Sequence, residues 1–150
     1  MNKNKLFKIL IALSTFVLLF FGVKELTKPK IVEGEKTVEI IIIDYTGDEK
    51  VTIHQKTYQT STELLSDFLI ELNEKKELSL QLQGNRNDPY GRSIVMINGL
   101  ETTDWNAGPW WTYESNTNQD CLSVGFCGGI DTVPIYDNDV FYFTFTSTFE

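Results

Sequence analysis

Few residues in this chain have the types and spacing that chemistry demands. His54 is the only histidine. It sits on an alternating stretch with no second histidine or cysteine nearby, so a nucleophile–base pair has no obvious partners. Asp137 and Asp139 are spaced as an acid and a base, or as two calcium ligands. Asn138 between them favours a turn, and the other ligands of a twelve-residue calcium loop are missing. Gly128-Gly129 has no following lysine or helix start, so it is not a phosphate loop. We expect no catalytic residue, no enzyme activity and no metal site.

Cys121 and Cys127 bracket CLSVGFC. Structural zinc wants four ligands, and a redox C-x-x-C spacing is absent. The pair reads as a disulfide if the chain is exported, or as two free thiols if it is not. The tryptophans are more informative. Trp110 and Trp111 are adjacent on a strand and so point to opposite faces. One enters the core. The other either packs under the cysteine loop or, with Tyr113 on the same face as Trp111, forms a flat platform for a sugar ring or planar cofactor. Asn98 and Asp104 could orient a ligand there by hydrogen bonds, and Phe126 lies in the adjoining Gly-rich loop. The expected ligand-binding set is therefore Asn98, Asp104, Trp110, Trp111, Tyr113 and Phe126. The Trp strand, the cysteine loop and the Asp104–Gly108 loop are expected to come together.

The charge is unevenly placed. Of 13 basic residues, six (Lys3, Lys5, Lys8, Lys24, Lys28, Lys30) lie in the first thirty positions, with Glu25 the one acid among 21. The remainder holds 7 basic and 20 acidic residues, a net of -13. Such a surface repels phosphate backbones, so nucleic acid is not an expected partner.

Ile9–Val23 is apolar except for Ser14 and Thr15, and three lysines precede it. It reads as a signal anchor or a signal peptide. Phe20, Phe21 and Gly22 do not make a small-residue cleavage site, which favours an uncleaved anchor, and no cysteine follows for a lipid. Leu6–Val23 as a helix would span about 27 Å. The expected organisation is an anchor over 1–24, a spacer over 25–36 and a domain over 37–150. The domain would lie outside the cytoplasm on a single-pass membrane protein, or be secreted if the segment is cleaved.

Within the domain, Val38–Tyr45 is a β-branched run suited to a central strand. Val51–Tyr58 alternates and reads as a half-buried strand with Val51 and Ile53 inward, completing a hairpin. Thr60 and Glu63 read as a capping box before a helix with the stripe Leu64, Leu65, Phe68, Leu69 and Leu72. Leu78, Leu80 and Leu82 alternate as a third strand. Ser93–Leu100, Trp110–Ser115 and Val140–Thr148 follow, the last with Phe141, Phe143 and Phe145 on one face. This order predicts an α+β fold: a β-grasp-like mixed sheet with one packed helix. An antiparallel sandwich is the alternative.

From Tyr90 onward the chain resembles a known family. Tyr90-Gly91, Ile97-Asn98-Gly99, the Asp104–Gly108 loop, Trp110–Tyr113, Gly125, Asp137–Asp139 and Phe141–Phe145 follow in the order of the domain of unknown function 4430. That family is similar to the C-terminal β-domain of transcobalamin and intrinsic factor. The match covers about half of the chain; Val38–Leu72 fits more loosely. Where members commonly have Val-Asn-Gly after the Trp strand, this chain has Glu114-Ser115-Asn116-Thr117. The resemblance implies an extracytoplasmic binding module at the membrane, with cobalamin or another vitamin among its ligands. A protein-interaction or assembly module at the cell surface, docking a membrane or cell-surface protein, is the other expectation.

Overall fold

The computed structural model describes residues 33–148. The expected anchor over 1–24 and most of the spacer lie outside the described residues. The isoleucine run forms β1 (Lys36–Tyr45), the centre of a four-stranded sheet ordered β2-β1-β7-β6. β2 (Val51–Thr60) pairs antiparallel with β1, and β7 (Asp139–Thr146) pairs parallel with it from Val38↔Asp139 to Tyr45↔Thr146. β6 (Trp110–Glu114) closes the far edge, antiparallel to β7. Val38, Ile40 and Ile42, alternate residues on the inward face of β1, are fully buried, and Ile41 on its other face is nearly so. β7 alternates as its sequence demands, with Phe141, Phe143 and Phe145 buried.

The fold is α+β, but it has two sheets where the sequence predicts one. β3 (Leu80–Gln83), β4 (Ser93–Ile97) and β5 (Leu100–Glu101) form a separate antiparallel sheet. Asn98-Gly99 makes the β4–β5 turn with positive φ at both residues, the conformation a two-residue hairpin needs. Helix α1 (Leu65–Glu74) buries Leu65, Phe68, Leu69 and Leu72 in the same core as β1 and β7.

Three further expectations are corrected. The capping box does not form: Thr60 is the last residue of β2, and its hydroxyl accepts from Thr62 N and donates to Glu71. The first turn of α1 is capped from a distance instead. Leu65 N and Ser66 N donate to the carbonyls of Val133 and Ile130, at 2.9 and 3.0 Å. Second, β2 is turned over. Its inward face, opposite Val38, Ile40 and Ile42, carries Tyr58, Lys56 and His54, and Val51 and Ile53 are exposed. β2 is an edge strand. Only its C-terminal end is covered, where Tyr58 meets Phe68 edge-on at 6.0 Å, so polar residues are tolerated on the inward face beyond that point. Third, a second helix, α2 (Gln119–Val124), lies in the segment expected to be a loop. Asn118 caps it by accepting from Asp120 N and Cys121 N, and Gly125 ends it at φ +87°.

Candidate functional site

The site is built from three segments, two of them neighbours in sequence and the third including the distant chain after the disulfide. The first is the turn-rich stretch before β4, which ends at Tyr90-Gly91-Arg92. Its position is set by Asp131, whose carboxylate accepts from Arg92 N at 2.7 Å and from Arg92 Nε at 3.2 Å. Arg86 reaches the same carboxylate at 3.2 Å and also pairs with Asp67. The Asp131 side chain is 1% exposed. Burial opposes its charge, but the Arg92 side-chain and backbone donors, with Ser66 and Arg86, outweigh burial and hold the carboxyl well below the usual range. Gly91 at φ +68° is packed so close to Asp131 that a Cβ would stand 2.9 Å from Oδ2.

The second segment is the Asp104–Gly108 loop. The Asp104 carboxylate accepts from Asn106 N and its carbonyl from Gly108 N, each at 2.8 Å. This turn lifts Trp105 to the surface, where it is 45% exposed. The Trp110 indole donates to the Trp105 carbonyl at 3.0 Å and lies over Gly108, where a Cβ would meet its ring at 2.7 Å.

The third segment is β6 and the chain after the disulfide. Trp111 and Tyr113 share the inward face, against Phe145 at 4.9 Å and Phe143 at 5.5 Å between ring centroids. Trp111 Nε1 donates to the Leu100 carbonyl at 3.2 Å, and Tyr113 donates its hydroxyl to the Gly128 carbonyl. Burial pushes the Tyr113 phenol well above its usual pKa, with the nearby Asp131 charge adding to it. It is therefore Tyr113, not a tryptophan, that packs under the cysteine loop. Cys121 and Cys127 are joined in a disulfide.

These segments enclose a groove of about 220 Å³ lined by Tyr90, Arg92, Trp105, Trp111, Tyr113 and Gly129, among others. A second hollow of about 290 Å³, lined by Gln83, Gly84 and Gly91, adjoins it across the shared Ser93 and Trp105. Trp105 thus stands as a ridge between two hollows. A separate concavity on the outer face of the four-stranded sheet is lined by Tyr45, Lys50 and the hydroxyls of Thr112, Thr144 and Thr146. Tyr113 and Glu114 also line it, and it has no tryptophan.

Of the six residues singled out in the sequence, Trp111 and Tyr113 line the groove. Trp110 and Asp104 buttress the loop that carries Trp105. Asn98 is elsewhere: at φ +50° it accepts from Ser79 N at 3.0 Å and holds the β4–β5 turn. Phe126 is also elsewhere, exposed with Leu122 and Val124 on the disulfide segment. The sequence reading left Tyr90, Arg92, Trp105 and Gly129 out of the expected binding set. The Tyr90-Gly91 pair was visible as a family feature, but nothing local marked Arg92 as a partner of Asp131. Asp137 and Asp139 serve the turn before β7. Asp137 accepts from Thr37 N at 2.8 Å, and buried Asp139 accepts from Tyr136 N and from the fully buried Asn118 at 2.6 Å. Among the described residues, no cluster of three or more His, Cys, Asp or Glu side chains could hold a metal ion.

No family model matches the chain. No curated protein matches it either. Among solved structures the chain is similar to the crystal structure of a "putative metal binding protein" from Ruminococcus gnavus ATCC 29149. The identity is 17%, the TM-score 0.49, and the match covers 76% of this chain and 99% of that one. A likeness at that level carries no argument about ligand or activity.

Proposed function

We propose that the domain after Lys30 is a non-catalytic binding module that works outside the cytoplasm, held at the membrane through residues 1–24, and that it captures a small molecule with a flat face in the Trp105 groove. The observation that carries this reading is the convergence of Trp105, Trp111 and Tyr113 on one concavity, with the exposed Tyr90 at its rim. Aromatic rings on rigid supports offer stacking area at little entropic cost. The β2-β1-β7-β6 order, with a parallel central pair and α1 in the core, supports the β-grasp reading. On the resemblance to the domain of unknown function 4430, corrinoids and other vitamins head the ligand classes.

The test is a thermal-shift screen of the full chain in detergent micelles against corrinoids, other vitamins and glycans. A ligand at a hundred times its dissociation constant should stabilise the domain by about 2.7 kcal/mol. If no compound raises the melting temperature, the capture reading fails. The location is tested by adding protease to intact protoplasts, which should remove the domain; full protection would place it inside.

One observation favours a second reading, a surface docking module. Leu122, Val124 and Phe126 are exposed together on the disulfide segment. Serine at all three positions should abolish partner capture on that reading and leave small-molecule binding untouched on the first.

A further inference from the structure

The Trp105 groove has a chemical bias that its shape alone does not convey. The domain beyond residue 30 carries a net charge of -13, yet no acidic side chain lines the groove or the hollow beside it. The one charged lining residue is Arg92, 20% exposed at its side chain. The acid nearest to it, Asp131, is buried behind the groove wall and shared between Arg92 and Arg86. Asp131 grips the Nε–Nη2 edge of the Arg92 guanidinium. Among the described residues Nη1 has no hydrogen-bond partner, and it is not fully buried, so it is the part of the guanidinium left for a ligand, with Asp131 fixing its orientation. A guanidinium held in this way presents a planar donor that suits a carboxylate.

We infer that the groove selects a small molecule bearing a carboxylate beside a flat ring, the ring stacking on Trp105 and the carboxylate meeting the Nη1 edge of Arg92. A neutral sugar fits less well. Sugar hydroxyls are donors as much as acceptors, and the groove offers them no accessible carboxylate. This inference rests on the groove being the binding site, and it narrows the ligands that the site takes.

The experiment uses the full chain in zwitterionic nanodiscs, with empty nanodiscs as blank, and follows the tryptophan indole and arginine Nε resonances. The probes are 2-naphthoate, its neutral analogue 2-naphthamide, and acetate. We expect 2-naphthoate to shift the Trp105 and Arg92 signals saturably and to bind about tenfold tighter than 2-naphthamide, since charge-assisted hydrogen bonds are roughly twice as strong as neutral ones. Arg92→Gln should erase that preference, whereas Arg92→Lys should keep part of it. The acid–amide comparison on the unaltered protein decides the matter even if Arg92→Gln does not fold. Equal affinity for acid and amide overturns the carboxylate preference and leaves the aromatic groove standing. No saturable shift with either ring compound overturns both.

Discussion

Gly129 and Tyr90 meet backbone to backbone: a Cβ on Gly129 would stand 2.7 Å from the Tyr90 carbonyl oxygen. The contact joins the chain just after the disulfide to the turn that carries Arg92, so it closes one end of the Trp105 groove. Neither side of it is a flexible side-chain tip that could move aside. The consequence is specific to that position, because Gly47 has nothing within 4 Å of its would-be Cβ and no positive φ. Gly129→Ala should cost about 1–3 kcal/mol, as overpacking does. Gly47→Ala should stay within about 0.5 kcal/mol of the parent, as surface changes do. Urea unfolding of the two variants side by side checks this, and a Gly129→Ala variant as benign as Gly47→Ala would contradict the close approach.

Asp131 is the hub behind the groove. Removing its charge leaves the partly exposed Arg92 and Arg86 facing a buried neutral amide. Asp131→Asn should therefore destabilise by about 1–3 kcal/mol, less than a fully buried pair would cost because Arg86 and Arg92 stay partly exposed and Arg86 keeps Asp67. The sign of the pH effect follows from its depressed pKa. The unfolded chain takes up the proton first, near the free value of 3.8, while the folded carboxylate stays charged. The stabilisation is complete above that value and is lost as pH falls below it. Acid unfolding of the parent should steepen below about pH 4, and Asp131→Asn should flatten that limb. An unchanged acid limb would count against Asp131 as the source.

His54 gives a second pH signal, in a different window. Partial burial lowers its pKa below the free value of 6.5, Lys56 lowers it further, and Glu77 opposes both. Its ring stacks near Tyr58 with centroids 6.2 Å apart and shares a 2.9 Å hydrogen bond with the tyrosine hydroxyl. A histidine held neutral in the fold contributes its stabilisation above the unfolded pKa. That stabilisation falls as pH drops from 6.5 towards the folded value. As the only histidine, it can be followed by NMR without assignment ambiguity. A midpoint below 6.5 is expected, with the matching slope in urea midpoints absent from His54→Gln. A midpoint above 6.5 would contradict the burial of the ring on the inward face of β2.

The disulfide closes a short loop, Cys121 to Cys127, six residues apart. By chain entropy it should contribute roughly 2–2.5 kcal/mol. Reduction should lower the urea midpoint accordingly. Two alkylatable thiols in freshly isolated protein, or no change on reduction, would refute the pairing.

Much of this fold was legible in the sequence where a pattern is set by burial on both sides or by strict alternation. The isoleucine run of β1 and the three phenylalanines of β7 are of that kind. What escaped depended on tertiary position. Val51 and Ile53 alternate as an inward face should, yet β2 is an edge strand partly uncovered, and its register with β1 puts His54 and Lys56 inward instead. Thr60-Ser61-Thr62-Glu63 has the letters of a capping box, but β2 runs on through Thr60 and the donors of α1 find Val133 and Ile130. Helix α2 was too short for periodicity to reveal, although Asn118 and Gly125 mark its ends. The site was legible in part: Trp111, Tyr113 and the nearness of the Asp104–Gly108 loop to the Trp strand followed from residue type and strand order, whereas the Tyr90–Arg92 turn and the choice of Trp105 did not. Arg92 escaped because its partner is 39 residues away and ion pairing across that distance leaves no local trace.

The central claim is that ligand capture resides in the Trp105 groove and not on the exposed disulfide segment. The most direct measurement compares Trp105→Ala with the triple variant Leu122→Ser, Val124→Ser, Phe126→Ser, each as the full chain in micelles, using the best ligand from the thermal-shift screen. Both sets of side chains are exposed, so both variants should fold. Trp105→Ala should abolish the ligand-induced rise in melting temperature, a loss of about 2.7 kcal/mol at a hundredfold excess over the dissociation constant, while the triple variant keeps it. The reverse pattern, binding kept by Trp105→Ala and lost from the triple variant, would contradict the account and place the binding surface on the disulfide segment.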